Sequence, residues 1–378
     1  MKTEKLIAKA DGHWQSQAEA PIEANLVCYF GTREAIEDGA LFAALRDRYP
    51  SSAIMGCSTG GQILEDDVTD DVATAIAAKF DSSTVRLTVQ QVADSSESRS
   101  CGQAIAEALR GDGLAGIFIL SDGLCVNGSQ LIAGVVEKLG SDIPVAGGLA
   151  GDGSTFARTL VSGNTPPKEN TVVAAGFYGS KLHMRTGTAG GWDEFGPKRT
   201  ITRAAGNVLY ELDGRPALDL YMRYLGDEAA GLPGTALLFP LRVSDPDRPD
   251  HDIVRTVLSV DKEAKSMIFA GDVPEGWTAQ LMRGRFDKLA EGAGDAARQA
   301  SPAEADPDGF GLMVSCIGRR LLMGQLIANE VEEVFGEIGR RNELIGFYSY
   351  GEIAPHAVSH IPMLHNQTMT VATIVETA

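Results

Sequence analysis

Apolar runs of strand length alternate with amphipathic segments along the chain, and the same order recurs three times. In each copy, an apolar strand precedes an amphipathic helix, a second strand that ends in a glycine-rich turn, and a third strand. The first copy comprises a strand at 25–30, a helix near 34–48, the turn GCSTGG at 56–61 and a strand at 73–80. The repeat predicts an α/β fold of the mixed α+β kind, in which strand-helix-strand-strand units form layered mixed sheets.

The other two copies occupy the middle and the end of the chain. The second comprises GIFILSDG at 116–123, a helix near 129–139, IPVAGGLAGDG at 143–153 and TVVAAGFYG at 171–179. The third comprises GFGLMVSC at 309–316, a helix at 319–335, LIGFYSYGEIAP at 344–355 and HNQTMTVATI at 365–374. Because these apolar runs are nearly continuous, we expect sheets that are covered on both faces.

The pattern of apolar and polar residues changes between the second copy and the third. Short β-rich runs, which are typical of antiparallel hairpins, lie at 235–243, 252–260 and 266–273. A helix is expected at 278–297, and an exposed loop with two prolines follows at 301–309. This change of pattern predicts two fused halves. The domain boundary is expected near 200–230, where no flexible linker marks it.

The net charge of the chain argues against two classes of partner, nucleic acids and membranes. Lysine and arginine number 33 against 51 aspartate and glutamate, which gives a formal net charge of -18. This charge repels a phosphate backbone and an anionic membrane surface, so we expect neither nucleic acid nor membrane as a partner. No stretch approaches 18 uninterrupted apolar residues, and the five cysteines show no C-x-x-C spacing. We therefore expect a cytoplasmic protein without a membrane anchor.

The glycine-rich turns carry the first candidate site residues. Such turns place backbone N–H groups and short side chains at the carboxyl edge of a sheet, where α/β folds bind ligands. GCSTGG supplies Cys57, Ser58 and Thr59, and GGLAGDG supplies Asp152. Each turn also has a structural interpretation. Cys57 is then a buried or ligand-lining thiol, and the Asp152 carboxylate accepts hydrogen bonds from the backbone of its own tight turn.

The residues around Ser58 also satisfy the G-x-S-x-G pattern of serine hydrolases. Ser58 or Cys57 is therefore a formal candidate for a nucleophile. The helix that should follow such a turn is not indicated by QILEDDVTDD, and no histidine lies nearby in sequence. No P-loop pattern G-x-x-x-x-G-K-[ST] occurs, so nucleotide binding has no support.

The third copy is the richest in polar groups, which are Ser315, Cys316, Arg319, Arg320, Glu352, His365, Asn366 and Gln367. SCIGRR opens a helix, and the free N–H groups of that helix together with Arg319 and Arg320 favour an anion. A carboxylate such as Glu352 accepts an ammonium group, so the set suits a zwitterionic ligand such as an amino acid. In the structural alternative, a Glu–Arg ion pair holds the turn against the helix, and the side-chain amides form hydrogen bonds with backbone groups at the strand ends.

The histidines offer a further candidate. His183, in KLHMRTG between a strand and a glycine-rich turn, has neighbours that fit a haem ligand, whereas an exposed strand histidine is the structural alternative. His356 and His360 are four residues apart, but flanking prolines predict a loop, where this spacing does not place both on one face. No H-E-x-x-H pair occurs.

Several of these segments together resemble the FIST sensory module with its FIST N and FIST C halves. They are GCSTGGQI at 56–63, the stretch at 191–221, SCIGRR at 315–320, GFYSYGEIAP at 346–355 and LHNQTMT at 364–370. The resemblance covers nearly the whole chain. It implies a FIST N-like domain at 25–215 and a FIST C-like domain at 216–378, after an N-terminal extension at 1–24.

The resemblance implies a ligand-binding signal-input domain of bacterial signal transduction, with small ligands such as amino acids. Some members of the family are haem proteins that sense nitric oxide and control a histidine kinase or a cyclic-di-GMP enzyme. No histidine-kinase, GGDEF or coiled-coil signature follows in this sequence. We therefore expect a stand-alone, non-enzymatic sensor that acts on a separate histidine kinase, diguanylate cyclase or phosphodiesterase.

The expected ligand site comprises Arg319, Glu352, His365 and Asn366, faced by Cys57 and Ser58. No cofactor is expected for this site. A haem sensor that uses His183 is the first alternative, and a hydrolase that uses Ser58 or Cys57 is the second. The sensor hypothesis requires strand ends from separate parts of the chain to meet around a cavity.

Overall fold

Parallel strand pairs joined by helices organise the first, second and last parts of the chain. The structure is a computed structural model that describes residues 1–9, 12–16, 18, 20–70, 72–232 and 234–377, with the backbone alone at 249–251. Within these residues the helices are α1 (Arg33–Ile36), α2 (Ala40–Arg48), α3 (Ser98–Leu109), α4 (Gly128–Leu139), α5 (Ala217–Leu225), α6 (Phe286–Ala300), α7 (Ile317–Met323) and α8 (Ala328–Val334).

The strands of the described residues, in chain order, are β1 (Lys2–Ala8), β2 (Trp14–Ser16), β3 (Leu26–Gly31), β4 (Ala53–Ser58), β5 (Gln62–Leu64), β6 (Asp67–Thr69), β7 (Ala73–Lys79), β8 (Thr84–Gln91), β9 (Leu114–Ser121), β10 (Val145–Leu149), β11 (Val161–Gly163), β12 (Thr171–Tyr178), β13 (Leu182–Ala189), β14 (Trp192–Ala205), β15 (Val208–Leu212), β16 (Arg215–Pro216), β17 (Leu241–Asp245), β18 (Arg248–Arg255), β19 (Val257–Asp261), β20 (Ser266–Phe269), β21 (Thr278–Gly284), β22 (Gly309–Cys316), β23 (Asn342–Ser349), β24 (Gly351–Pro355), β25 (Pro362–His365) and β26 (Met369–Glu376).

Three sheets of six strands repeat one arrangement among the described residues. A central strand lies between a parallel strand, which the chain reaches through a helix, and an antiparallel third strand. These strands are β3, β4 and β7 in the first sheet, β9, β10 and β12 in the second, and β22, β23 and β26 in the third. The third strand also pairs with β1, β8 or β13, respectively. The predicted repeat and the mixed α+β fold class are confirmed.

Each sheet is completed by a strand from another copy. β5, which follows the first glycine-rich turn, pairs with β23 of the third sheet. β11, which follows the second turn, pairs with β4 of the first sheet, and β24, which follows the third turn, pairs with β10 of the second sheet. The exchange is cyclic, because each sheet receives a strand from one neighbour and donates a strand to the other.

The three turns meet where these strands cross. Their backbones are joined by the hydrogen bonds Gly60 N–H to Tyr348 O (2.8 Å), Gly151 N–H to Ser58 O (2.9 Å) and Tyr350 N–H to Leu149 O (3.1 Å). A Cβ on Gly151 would lie 3.3 Å from the Gly60 nitrogen, so glycines allow the close approach. We call the first turn (58–62), the second turn (149–153) and the third turn (349–352) together the turn ring.

The inner faces of the three sheets share one apolar core. Phe30, Phe118 and Phe347, one from each sheet, are fully buried in it. The rings of Phe30 and Phe347 have centroids 4.6 Å apart. Helix α2 covers the outer face of the first sheet, α3 and α4 cover the second, and α6 and α8 cover the third. The sheets are therefore covered on both faces, as the continuous apolar runs predicted.

Residues 192–284 form a separate antiparallel sheet with its own core, which we call the fourth-sheet unit. The predicted hairpins are present as β17–β18 and β19–β20, although 234–238 forms a 3₁₀ turn rather than a strand. The helix expected from residue 278 begins at Phe286 instead. The residues at 278–284 alternate between apolar and polar positions and pair with β14 and β17 as β21.

Two predicted helices, at 34–48 and 319–335, are each divided by a glycine. The φ angle is +76° at Gly39 and +54° at Gly324, a left-handed conformation that ends a helix. The expected N-terminal extension at 1–24 also differs from the structure. Its residues 2–8 form β1, which pairs with β7 along its whole length and so belongs to the first sheet.

Gly123 provides a test of the contact between the second sheet and the turn ring. A Cβ on Gly123 would lie 1.9 Å from the carbonyl oxygen of Ala150 in the second turn. Gly123→Ala should therefore lower the free energy of unfolding in urea by about 1–3 kcal/mol. Gly336→Ala is the matched control and should not destabilise, since none of the described neighbours lies within 4 Å of its Cβ position. Equal stability of the two variants would contradict the contact.

Candidate functional site

The residues expected to bind a ligand are buried around the turn ring or close to it. Each has an exposed fraction of 9% or less. They are Cys57, Ser58, Thr59, Asp152, Ser315, Cys316, Arg319, Glu352, His365 and Asn366. The strand ends from separate parts of the chain do meet, and the junction between them is tightly packed.

The polar groups of the first turn are bonded within the protein. The Ser58 hydroxyl accepts a hydrogen bond from the Leu160 N–H (2.9 Å), and the Thr59 hydroxyl donates to the Gly31 carbonyl (3.2 Å). Cys57 lies in the central core, where burial raises the pKa of its thiol well above the usual value and disfavours a nucleophilic thiolate. β5 and β6 follow this turn in place of a helix. The geometry therefore gives the hydrolase alternative no support.

Asp152 joins the second turn to the third. Its carboxylate accepts hydrogen bonds from the N–H groups of Ala157 (3.0 Å) and Arg158 (2.9 Å), and from the Tyr350 hydroxyl. The Phe156 ring stacks on Tyr350 with centroids 4.5 Å apart. Burial raises the pKa of Tyr350, and the bond to Asp152 raises it further, so the phenol remains protonated. Asp152 thus has the expected turn role and also fixes Tyr350.

Arg319, at the start of α7, is fully buried and bonded within the fold. Its guanidinium donates to the Glu330 carboxylate (2.8 Å) and to the Leu289 carbonyl (2.7 Å). Glu330 also accepts from the Ser315 hydroxyl (2.7 Å). The Glu–Arg pair of the structural alternative is therefore present, with Glu330 in the place of Glu352. The guanidinium that was expected to bind a ligand carboxylate instead anchors α7 to α8.

Glu352 holds the third turn against the loop that precedes β26. It is fully buried and accepts hydrogen bonds from the Ser349 hydroxyl (2.7 Å), the Thr368 N–H (3.1 Å) and the Thr368 hydroxyl (3.0 Å). Burial raises the pKa of Glu352 to about 7, although these hydrogen bonds oppose the rise. The carboxyl group therefore titrates close to neutral pH.

Asn366 and Gln367 carry buried polar atoms without partners. Among the described residues, neither the nitrogen nor the oxygen of the Asn366 amide has a hydrogen-bond partner, and Gln367 Oε1 has none. The Gln367 amide nitrogen donates to the Leu237 carbonyl of the fourth-sheet unit (3.1 Å). A buried polar group left unpaired costs about 1–3 kcal/mol, so these atoms lower the stability of the fold beside the third turn.

The histidines have structural surroundings. His365 Nε2 lies 3.1 Å from the Ala354 carbonyl, and its ring stacks on His356. His183 is exposed on β13, opposite Val375 of β26. An exposed strand position does not provide the apolar enclosure of a haem site, so the surroundings of His183 do not fit that cofactor. The described part of the chain holds no group of three or more His, Cys, Asp and Glu side chains that could bind a metal ion.

A cleft of about 160 Å³ lies between the turn ring and the fourth-sheet unit. Leu149 and Tyr350 line it from the turns, and Leu124 lines it from the loop after β9. Asn207 and Leu258 line it from the fourth-sheet unit. The strand ends of the second sheet therefore border a cavity, and the opposite wall comes from another part of the chain.

Sequence reasoning missed Glu330 and Tyr350. Tyr350 lies inside the motif GFYSYGEIAP, so the motif itself was the signal that pointed to it. Glu330 lies eleven residues after Arg319 and was expected on the same helix. It reaches Arg319 because the chain turns at Gly324, which the helical pattern of 319–335 did not indicate.

Family models match most of the chain, as a FIST N domain at residues 25–215 and a FIST C domain at residues 217–355. The chain belongs to the FIST family. FIST domains are sensory domains of signal transduction. An uncharacterised protein of Methanocaldococcus jannaschii is 25% identical to this chain in an alignment of length 351 that covers 82% of this chain and 66% of the relative. The chain thus spans just under two thirds of the length of that relative.

The FIST N and FIST C domains are interlaced in the structure. β5, β6 and β13 of the FIST N domain lie in the third sheet, and β24 of the FIST C domain lies in the second sheet. The turn ring and the cleft therefore draw residues from both domains. In the part of the chain that the structure describes, no helix is both long and apolar enough to cross a bilayer.

Glu352 should make the stability of the protein depend on pH. Its pKa in the folded protein, about 7, exceeds the usual 4.5, so the folded state binds this proton more tightly. The resulting stabilisation is complete below pH 4.5 and is lost as the pH rises through 7. From pH 5.5 to 8, Glu352→Gln should therefore gain about 2 kcal/mol of unfolding free energy relative to the parent, as measured in urea. Glu263→Gln, an exposed control, should show no such trend, and a pH-independent effect of Glu352→Gln would refute the titration.

The buried Arg319–Glu330 pair can be tested by removing one charge. Glu330→Gln leaves the guanidinium without its counter-charge and should lower the free energy of unfolding by about 3–5 kcal/mol. The control is Glu291→Gln, which breaks the exposed pair with Lys288 and should cost less than about 1 kcal/mol. Chemical denaturation measures both losses, and a loss of similar small size in the two variants would argue against a buried charge pair.

Proposed function

We propose that this chain is a signal-input protein whose small ligand, of about the size of an amino acid, binds in the cleft beside the turn ring. The cleft itself carries the proposal. Its volume of about 160 Å³ lies below the roughly 300–1,000 Å³ of sites for drug-sized ligands. Its walls come from the second sheet and from the fourth-sheet unit, so one small molecule contacts both.

Two exposed leucines on opposite walls of the cleft favour a ligand with an apolar side chain. Two of the polar side chains there are engaged: Asn127 Nδ2 donates to Asp272 (2.8 Å), and Asn207 Nδ2 donates to a backbone carbonyl (2.9 Å). Leu124 and Leu258 remain 42% and 37% exposed on opposite sides. Covering such surface contributes about 25 cal/mol per Å². An amino acid with an apolar side chain matches this wall.

The sequence predicted that Arg319 and Glu352 bind the carboxylate and the ammonium group of an amino acid. Both side chains have other partners in the fold, so these two ligand groups must be bound in another way. Arg319 is bonded to Glu330, and Glu352 is bonded to Ser349 and Thr368. Neither side chain is presented to the cleft as a free charge. The ammonium and carboxylate of the ligand therefore face the mouth of the cleft, or they displace hydrogen bonds that now hold the turns.

Tyr350 links the cleft to the rest of the fold. It lines the cleft, its N–H donates within the turn ring, and its hydroxyl bonds to Asp152. β24, which completes the second sheet, begins at the next residue, Gly351. A ligand that binds one arrangement of Tyr350 more tightly than another shifts the balance between them, to the extent of that difference in affinity.

We further propose that the signal passes to a separate histidine kinase, diguanylate cyclase or phosphodiesterase in the cytoplasm. The sensory role of FIST domains supports a signalling partner. The five free cysteines suit a reducing compartment. A ligand without cofactor is preferred over haem, since the exposed His183 lacks an apolar enclosure. The rate of a purified candidate kinase or cyclase, with and without ligand, tests this step.

A thermal-shift screen with apolar amino acids tests the ligand site. Binding to the folded form alone raises the melting temperature, so at a hundred times Kd we expect a stabilisation of about 2.7 kcal/mol. Leu258→Trp fills the cleft from a partly exposed position and should abolish this response. Leu326→Trp makes the same change at an exposed position of the third copy and should keep it.

Two outcomes would remove the cleft from the proposal. One is a parent protein whose melting temperature no amino acid changes at millimolar concentration. The other is an undiminished response in Leu258→Trp, which would place the ligand elsewhere. Circular dichroism of both tryptophan variants shows whether they retain the parent fold.

A further inference from the structure

A second hollow lies at the other end of the third sheet, where β22 and β23 begin. Its volume is about 580 Å³, and residues of β1, of the β5–β6 turn and of the start of β23 line it. The turn ring lies at the opposite ends of the same strands. The eight residues of β22 separate the two places by about 25 Å. We call this space the basal hollow, and it is distinct from the cleft of the proposed function.

Two buried acceptors at the basal hollow lack donors. Asn342 is 4% exposed, and its Oδ1 has no hydrogen-bond partner among the described residues. Its Nδ2 donates to the Ile338 carbonyl (3.0 Å), which fixes the orientation of the amide, and Oδ1 faces Gly309. Glu343 Oε2 is likewise buried without a partner. Asn342, Glu343 and Gly309 all line the hollow, so a bound molecule with N–H groups would satisfy both acceptors.

Three basic side chains line the hollow. Lys5 pairs with Glu65, Arg341 donates to two backbone carbonyls, and Arg340 adds a third positive charge. Burial raises the pKa of Glu65, Lys5 opposes the rise, and the negative charge of Glu343 adds to it. The lining also contains four carboxylates, which are Glu65, Asp66, Asp308 and Glu343. They outnumber the three cations, so the hollow retains negative charge that a cationic ligand would balance.

We propose that the basal hollow binds a small organic ammonium compound, such as a diamine, whose N–H groups donate to Asn342 Oδ1 and Glu343 Oε2. Phe335 also lines the hollow and offers an aromatic ring to a cation. A bare metal ion fits less well, because it needs more oxygen ligands than these two acceptors supply. The described residues also hold no cluster of three metal-ligating side chains.

Calorimetric titration of the full chain with 1,4-diaminobutane tests the proposal. The parent should bind the diamine, and Glu343→Gln should weaken the affinity at least about tenfold, because a charged acceptor is lost. Glu343→Lys should abolish binding, since its own ammonium group occupies the hollow. Glu263→Gln makes the same change of charge in the exposed β19–β20 turn and should bind as the parent does.

The neutral compound 1,4-butanediol and the variant Leu258→Trp complete the design. The diol should bind at least about tenfold more weakly than the diamine, since it carries no positive charge. Leu258→Trp, which fills the cleft, should leave the affinity for the diamine unchanged, so this proposal and the proposed function can fail separately. The proposal is overturned if the parent shows no heat with millimolar diamine, if diol and diamine bind equally, if Glu343→Gln and Glu343→Lys both bind like the parent, or if Leu258→Trp loses binding.

Discussion

The backbone hydrogen bonds that join the three turns are the constraint on which the structure depends. β5, β11 and β24 leave this ring for a neighbouring sheet, so each turn must satisfy the register of two sheets at once. Glycines at 60 and 151 let the backbones approach, and the N–H groups of the turns find partners in one another. This explains why the side chains expected to face a ligand are packed: they hold the crossing strands in place.

The charged groups inside the junction serve the same mechanical purpose. Arg319 and Glu330 fix α7 to α8, and Glu352 fixes the third turn to the start of β26. Inside a protein a charge is retained when it is paired, and an unpaired carboxyl group tends toward its neutral form. A ligand is therefore expected at the border of the junction, where Tyr350 belongs both to the turn ring and to the wall of the cleft.

The repeat and the carboxyl edge could be predicted from the sequence, because continuous apolar runs and glycine-rich turns are local signals. The exchange of β5, β11 and β24 could not, since these short strands pair with residues more than a hundred positions away. β1 was missed because only alternate residues of it are buried, a pattern too short to separate from a tail. Arg319 lies on a helix, as expected, whereas His365 ends β25 instead of starting the strand expected at 365–374. The contact of Arg319 with Glu330 depends on the break at Gly324.

The cyclic exchange has a consequence for synthesis on the ribosome. The second sheet waits for β24, and the third sheet waits for β22, β23 and β26, so both stay open until these strands have emerged, whereas the first sheet lies wholly within residues 2–163. Pairings of such long sequence separation form slowly, and exposed strand edges attract other nascent chains in the meantime. Chaperone demand should therefore be set by β22 to β26, whose emergence closes the second and third sheets together.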